Sequence, residues 1–458
     1  MSTIRCVKLL LSFALLFGVV GVRASVVLTT LASFGGTNGA NPEANLFQAA
    51  DGFLYGTTPG GGNSNLGTVF RISPAGGSVV SLAFFSGTNG AFPKAGLVQQ
   101  AGGDFSFFGT TYAGGVSNLG TVFRITTNGT LSSLISFRGT NGANPQAGLA
   151  RGDDDHFYGA TYYGGTNDWP LGYGVVFQIT TNGGFTPLTS LANTNGAYPY
   201  GALFRGAGGN FYGTSLLGGA DGLGTVFKIS NAGLLLTIAS FHSTNGALPR
   251  GSIIQGLDGH LYGTTSSGGT SNLGTVFRVT TNGNLTTLIS FTGNNGASPF
   301  AGLIQGNDGH FYGTTAQGGT NAFGTVFQIT TNGLLTTLIA FDSNSGRNPY
   351  AGLVQGLDGS LYGTTVNGGA HGLGTVYRVS FPAASLPIVQ TISQTANSAV
   401  LTWNATVSRS YCVQYKTNLN DLTWLDWISS LTATNTTMTL LQNIGPEPQR
   451  FYRVGLLP

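Results

Sequence analysis

Residues 301–341 read Ala301-Gly-Leu-Ile-Gln-Gly-Asn-Asp-Gly-His-Phe-Tyr-Gly-Thr-Thr-Ala-Gln-Gly-Gly-Thr-Asn-Ala-Phe-Gly-Thr-Val-Phe-Gln-Ile-Thr-Thr-Asn-Gly-Leu-Leu-Thr-Thr-Leu-Ile-Ala-Phe341. Four short runs rich in β-branched and aromatic residues stand out, at 301–305, 311–315, 324–330 and 335–341. Between them lie Asn307-Asp308-Gly309, a longer glycine-rich loop, and Asn332-Gly333. Asp-Gly and Asn-Gly between such runs predict tight hairpins, here type I′ turns with positive φ at both central residues. Four antiparallel strands in about fifty residues have the size of a β-propeller blade.

The same unit recurs seven times. Its aromatic-glycine pair falls at Tyr55, Phe108, Tyr158, Tyr212, Tyr262, Tyr312 and Tyr362, at intervals of 53, 50, 54, 50, 50 and 50 residues. The aromatic of Gly-Thr-Val-Phe falls at Phe70, Phe123, Phe177, Phe227, Phe277, Phe327 and Tyr377, and each unit carries a proline, from Pro42 to Pro349. The chain opens with a lone fourth strand, Val26 to Phe34, and the last unit stops near Ser380 after three strands. One strand at the start and three at the end predict a seventh blade that closes the ring and removes open edges. Small residues in each first strand, such as Ala301-Gly302, suit strands crowding around an axis. The predicted fold is therefore all-β: a seven-bladed β-propeller over residues 25–380, a linker over 381–387, and a small β-sandwich over 388–458.

Composition agrees with this reading. Of 458 residues, 75 are glycine and only 7% are charged, against 41% hydrophobic and 11% aromatic; neither a coiled coil nor a disordered chain has that profile. Residues 1–24 read as a secretory signal: Arg5 and Lys8, an apolar run from Leu9 to Val20, then Val22 and Ala24 before a cleavage site. The apolar run is shorter than the ~20 residues that span a bilayer, and no second one follows. Without Arg5, Lys8 and Arg23, the chain holds 15 basic and 15 acidic residues. Nucleic-acid binding needs clustered cations, so that partner class is not expected. Cys412 is the one cysteine beyond the signal, so the core and not a disulfide must hold the fold.

Gly352-Leu-Val-Gln-Gly-Leu-Asp-Gly-Ser-Leu-Tyr-Gly-Thr-Thr365, followed by Gly368-Gly369 and Gly374-Thr-Val-Tyr377, resembles the GloVer tandem repeat of secreted bacterial "choice-of-anchor" proteins. The match runs over residues 26–380. The C-terminal segment, with Trp403, Trp424 and Trp427, is similar to fibronectin-type-III-like modules. The resemblance implies an exported or surface-associated protein and names no reaction.

Loops carry function more often than strands, and the long loops and crossings share one face of a four-strand meander. On that face the third unit has a loop four residues longer than the others, holding Tyr163, Asp168, Trp169 and Tyr173. The residue after each proline is Glu43, Lys94, Gln146, Tyr200, Arg250, Phe300 and Tyr350. Aromatic faces beside polar groups suit carbohydrate, so Tyr163, Asp168, Trp169, Tyr173, Tyr200, Arg250, Phe300 and Tyr350 form the candidate ligand site. Polysaccharide or a surface protein is the expected partner. The aspartates of the first hairpin turn (Asp51, Asp258, Asp308, Asp358) read as turn-forming residues. His156, His260 and His310 share a position that also holds Phe53 and Ser360, which is no pattern for a metal site. No cofactor motif is present. Two glutamates, Glu43 and Glu447, and no joined carboxylate pair argue against an enzyme; the alternatives are a glycan-active hydrolase or lyase acting at the central funnel, and a purely architectural envelope component.

Overall fold

The computed structural model describes residues 26–100, 105–167, 172–206, 208–381, 389–394, 398–407, 409–417, 423–443 and 451–456. The expected signal peptide and residues 382–387 of the expected linker lie outside them, as do Asp168 and Trp169. Every regular element among the described residues is a strand. Residues 25–381 and 382–458 form separate compact units, 1–24 being grouped with the latter.

In the larger unit each repeat folds as one antiparallel sheet. The sixth holds Ile304–Gln305, Phe311–Thr315, Thr325–Ile329 and Leu335–Ala340. Its first strand is shorter than the sequence suggested, because at Ala301-Gly302 the backbone packs against its neighbours around the axis. A Cβ on Gly302 would lie 2.2 Å from the Ser252 carbonyl oxygen, and one on Gly251 2.3 Å from the Gly302 nitrogen. The turns also differ from the expected type I′. At the equivalent turn of the fifth unit, Gly259 alone has positive φ (79°); its N–H bonds the Gly256 carbonyl at 2.9 Å, and Gly256 N–H bonds His260 O at 2.8 Å. This is the three-residue loop ending in a left-handed glycine, and it leaves Asp258 free to accept hydrogen bonds. In the fourth unit a fifth strand, Ala197–Pro199, joins the sheet through Leu217 and Ser215, extending a pairing that is a single bridge elsewhere, such as Ala297 with Gln317.

The core lies between sheets. Tyr262 and Val276 of the fifth unit pack with Leu303, Phe311, Phe327 and Ile329 of the sixth. The aromatic-glycine pair follows from this packing: a Cβ on Gly313 would meet the Phe327 ring at 2.6 Å. Hydroxyls of Thr57, Thr110, Thr214, Thr264 and Thr314 each donate to a backbone carbonyl of the next unit at 2.7–3.0 Å.

The last unit meets the first by the same contacts. Val27–Ser33 pairs antiparallel with Thr375–Ser380, and Thr364 donates to the Ala44 carbonyl at 3.4 Å. Leu31, Phe34, Tyr362 and Val376 pack with Leu46, Leu54, Phe70 and Ile72 in one cluster.

The smaller unit has two three-stranded sheets, in which 398–404 lies between 389–394 and 437–443, and 410–416 between 425–432 and 451–456. Leu401, Trp403, Tyr411 and Val413 fill its core.

Candidate functional site

The crossings that carry the prolines build the site. In all seven the residue before proline has φ between 51° and 60°, and its N–H donates to a carbonyl of the preceding unit at 2.7–2.9 Å. Three of these residues, Phe92, Tyr198 and Leu248, are bulky, and such residues avoid this region unless the surroundings impose it. The proline itself is buried against a glycine of the preceding unit; a Cβ on Gly274 would lie 2.8 Å from Pro299 Cδ, and one on Gly374 2.8 Å from Pro42 Cδ. The crossing is thus fixed on both sides. The side chain that follows, half-buried in every unit, is presented in the same way seven times.

Those seven side chains meet. Glu43, Lys94, Gln146, Tyr200, Arg250, Phe300 and Tyr350 line one central cavity of about 290 Å³, with the small residues that precede the first strands as its wall. Around it, Lys94 Nζ lies 3.8 Å from Glu43 and 4.8 Å from the centre of the Tyr112 ring. The Arg250 guanidinium sits between two rings, 5.4 Å from Tyr200 and 4.7 Å from Phe300. Phe300 meets Tyr350 edge-on at 4.9 Å. Asn45 replaces glycine at the axis and accepts a hydrogen bond from Gly352 N–H at 2.6 Å, joining first and last units. Burial pushes the Glu43 carboxyl above its ordinary value, against the pull of Lys94. Burial and the Glu43 charge push the Tyr200 phenol up, with Arg250 opposing.

Of the residues expected from sequence, Tyr200, Arg250, Phe300 and Tyr350 come together here, inside the mouth of the axis. Tyr163 and Tyr173 are not in the lining. Tyr163 packs edge-on to Tyr162 at 4.6 Å and to Tyr198 at 5.4 Å. Tyr173 contacts Tyr198 at 6.0 Å and packs on the core between the third and fourth sheets. Its carbonyl takes the crossing bond that Leu223 or Leu273 takes elsewhere, which is a framework role. Tyr162, which sequence reasoning passed over, links loop to cavity: it stacks on Tyr198 at 5.1 Å and meets Tyr200 at 6.1 Å. Glu43, Lys94 and Gln146 were also left out of the expected site. Their register after proline was the available signal, since one equivalent position per unit around an axis must converge.

The opposite set of turns uses its polar groups internally. Tyr262 donates to Asp258 at 2.6 Å and Tyr312 to Asp308 at 2.7 Å, while Asp258 and Asp308 also accept the backbone N–H of the histidine that follows. Gln328 donates to the Tyr312 hydroxyl at 2.9 Å, which gives that strand position its preference for long polar side chains. The acidic run Asp153-Asp154-Asp155 is met by Arg205, His156 and Arg151. Among the described residues no group of three or more His, Cys, Asp or Glu could hold a metal.

Sheets of four antiparallel strands repeated about an axis, with a lined cavity on it, define a propeller-type repeat protein. The Gloeobacter/Verrucomicrobia repeat matches residues 19–168, 104–305 and 237–418, and the chain belongs to this family. Among solved structures it is similar to the extracellular domain of a protein described as a hybrid two-component system from B. thetaiotaomicron, with a TM-score of 0.52 and 11% identity. That likeness covers 94% of this chain and 55% of the other, so the chain spans about half the length of that structure. A protein described as a 6-phosphogluconolactonase from Bacteroides uniformis aligns with a TM-score of 0.46 and 18% identity, covering 67% of this chain and 86% of that one. No curated protein matches the sequence. These likenesses concern the fold. No helix of the described residues is long and apolar enough to cross a membrane.

Proposed function

We propose that the chain is an exported binding module whose central cavity recognises polysaccharide. The observation that carries this reading is the convergence of seven non-equivalent side chains in an otherwise uniform framework. Tyr200, Phe300 and Tyr350 offer ring faces and edges for the C–H surfaces of a sugar, and Glu43, Lys94, Gln146 and Arg250 offer donors and acceptors for its hydroxyls. Pockets of roughly 300 Å³ hold small ligands, so the cavity suits one or two sugar rings of a longer chain. The tyrosines 162, 163 and 198 extend an aromatic path outward from it. Hydrolysis by paired carboxylates needs two of them about 5–10 Å apart, whereas Glu43 is the one carboxylate of the lining; binding is the reading this favours. Export rests on the signal-like residues 1–24 with cleavage after Ala24, and the fibronectin-like reading of 388–458 fits a spacer beside a binding unit.

Calorimetric titration of the full chain with neutral and acidic oligosaccharides tests the reading. Saturable binding that Tyr350→Ala weakens roughly tenfold, without released sugar, supports it. Released reducing ends would move the assignment to an enzyme, and the absence of binding across both classes of glycan would overturn it.

A further inference from the structure

The cavity lining is not balanced in charge. It holds two cations, Lys94 and Arg250, against the single carboxylate of Glu43. Glu43 lies beside Lys94. Arg250 forms no ion pair with any described residue. It is held by the rings of Tyr200 and Phe300, and its Nε is buried without a hydrogen-bond partner. A second polar atom of the lining, Gln146 Oε1, is likewise buried without a partner. Buried polar atoms of folded proteins are nearly always satisfied, so two unsatisfied ones in the lining of one cavity call for a partner. Guanidinium groups take planar carboxylates in paired hydrogen bonds, and flanking rings fix the plane of the fork.

Resting on the polysaccharide reading above, we infer that the cavity selects an acidic sugar, a uronic acid residue whose carboxylate pairs with Arg250. The ring faces of Tyr200, Phe300 and Tyr350 then meet the pyranose carbons, and Gln146 Oε1 accepts a sugar hydroxyl. Lys94, 3.8 Å from Glu43, offsets the one negative group of the lining. Neutral sugars fill the same space but leave Arg250, which touches Tyr200 and Phe300, without a carboxylate.

The test compares tri-galacturonate with its fully methyl-esterified form, which keeps the shape and removes the charge, by calorimetry on the full chain at low and high salt. The expected result is binding of the acid at least about tenfold tighter than the ester, weakening as salt rises. Arg250→Gln should erase that preference while the thermal midpoint of unfolding stays that of a folded protein; because the ester comparison needs no variant, a poorly folded Arg250→Gln does not remove the test. Equal affinity for acid and ester, with Tyr350→Ala still weakening both, overturns the inference and leaves the polysaccharide reading standing. Loss of all glycan binding overturns both. Binding of a peptide C-terminal carboxylate in place of the sugar acid, abolished by Arg250→Gln, keeps the carboxylate contact but overturns the sugar.

Discussion

The first hairpin turn and the residue after proline occupy equivalent places in every unit, yet they carry opposite kinds of sequence. At the turn, Asp51, Asp154, Asp258, Asp308 and Asp358 each accept a tyrosine hydroxyl at 2.5–2.8 Å. After proline, seven units supply six residue types. The turn residues satisfy one another inside their own unit, so these five copies solve the same local problem in the same way. The post-proline residues face one shared space, where seven copies of one side chain would crowd or repel. Repetition marks framework, and divergence at a fixed register marks a surface that faces something else.

Breaking the framework should cost far more than altering the lining. Removal of residues 26–34 takes away the strand that pairs with Thr375–Ser380 and the buried side chains Leu31 and Phe34. We expect a loss on the order of 5 kcal/mol or more, with concentration-dependent association at the opened edge; denaturant unfolding and light scattering check both. Gly251→Ala puts a Cβ against the backbone of the next unit and should cost about 3 kcal/mol. Gln146→Ala, which lines the same cavity with an unpartnered oxygen, should stay within about 0.5 kcal/mol. Similar midpoints for these two variants in denaturant would break the contrast.

The turns give a pH signature. Burial alone would raise the Asp258 carboxyl, but hydrogen bonds from Tyr262 and the His260 backbone, with the His260 ring 3.1 Å away, hold it below its ordinary value. Its stabilisation is present above the unfolded carboxylate pKa and is lost as pH falls through the lower, folded value. Burial first, and then the bond to Asp258, push the Tyr262 phenol up to about 12. The folded state then keeps a proton that the unfolded state has released, so stability falls as pH rises from 10 towards about 12. Tyr262→Phe should cost about 1–2 kcal/mol near neutrality and flatten both slopes, as read from thermal midpoints across pH.

A gain of stability sharpens the comparison from the framework side. The third unit has Ala160 where five units use a threonine to bond the next unit at 3.0 Å or less. Ala160→Thr should restore that bond towards Gly201 and gain about 0.5–1 kcal/mol, measured by urea denaturation.

Much of this was legible without coordinates. The period at Tyr55 through Tyr362, the strand runs and the split last unit announce the propeller, because each unit must form four strands and bury its aromatic-glycine pair against a neighbour. The turn type was misread: Asp258-Gly259 is compatible with two loop lengths, and the demand of Tyr262 for an acceptor, a contact four residues away across the hairpin, selects one. Of the residues expected at a site, Tyr200, Arg250, Phe300 and Tyr350 share the central cavity. Glu43, Lys94 and Gln146 line the same cavity, and only their register after proline signals it in the sequence. Tyr173 drew notice as an aromatic although it fills a leucine place in the repeat.

By itself the sequence determined the unit, its number of copies and the order of its strands, since these follow from local periodicity and turn chemistry. Tertiary structure alone decided which loop residues share a space. Residues 43 and 350 are neighbours only because the last unit docks on the first, and the direction of the seven side chains is set by a left-handed residue and a buried proline whose geometry comes from the preceding unit. Convergence on an axis is a property of the units together, the last meeting the first, and no single repeat contains it.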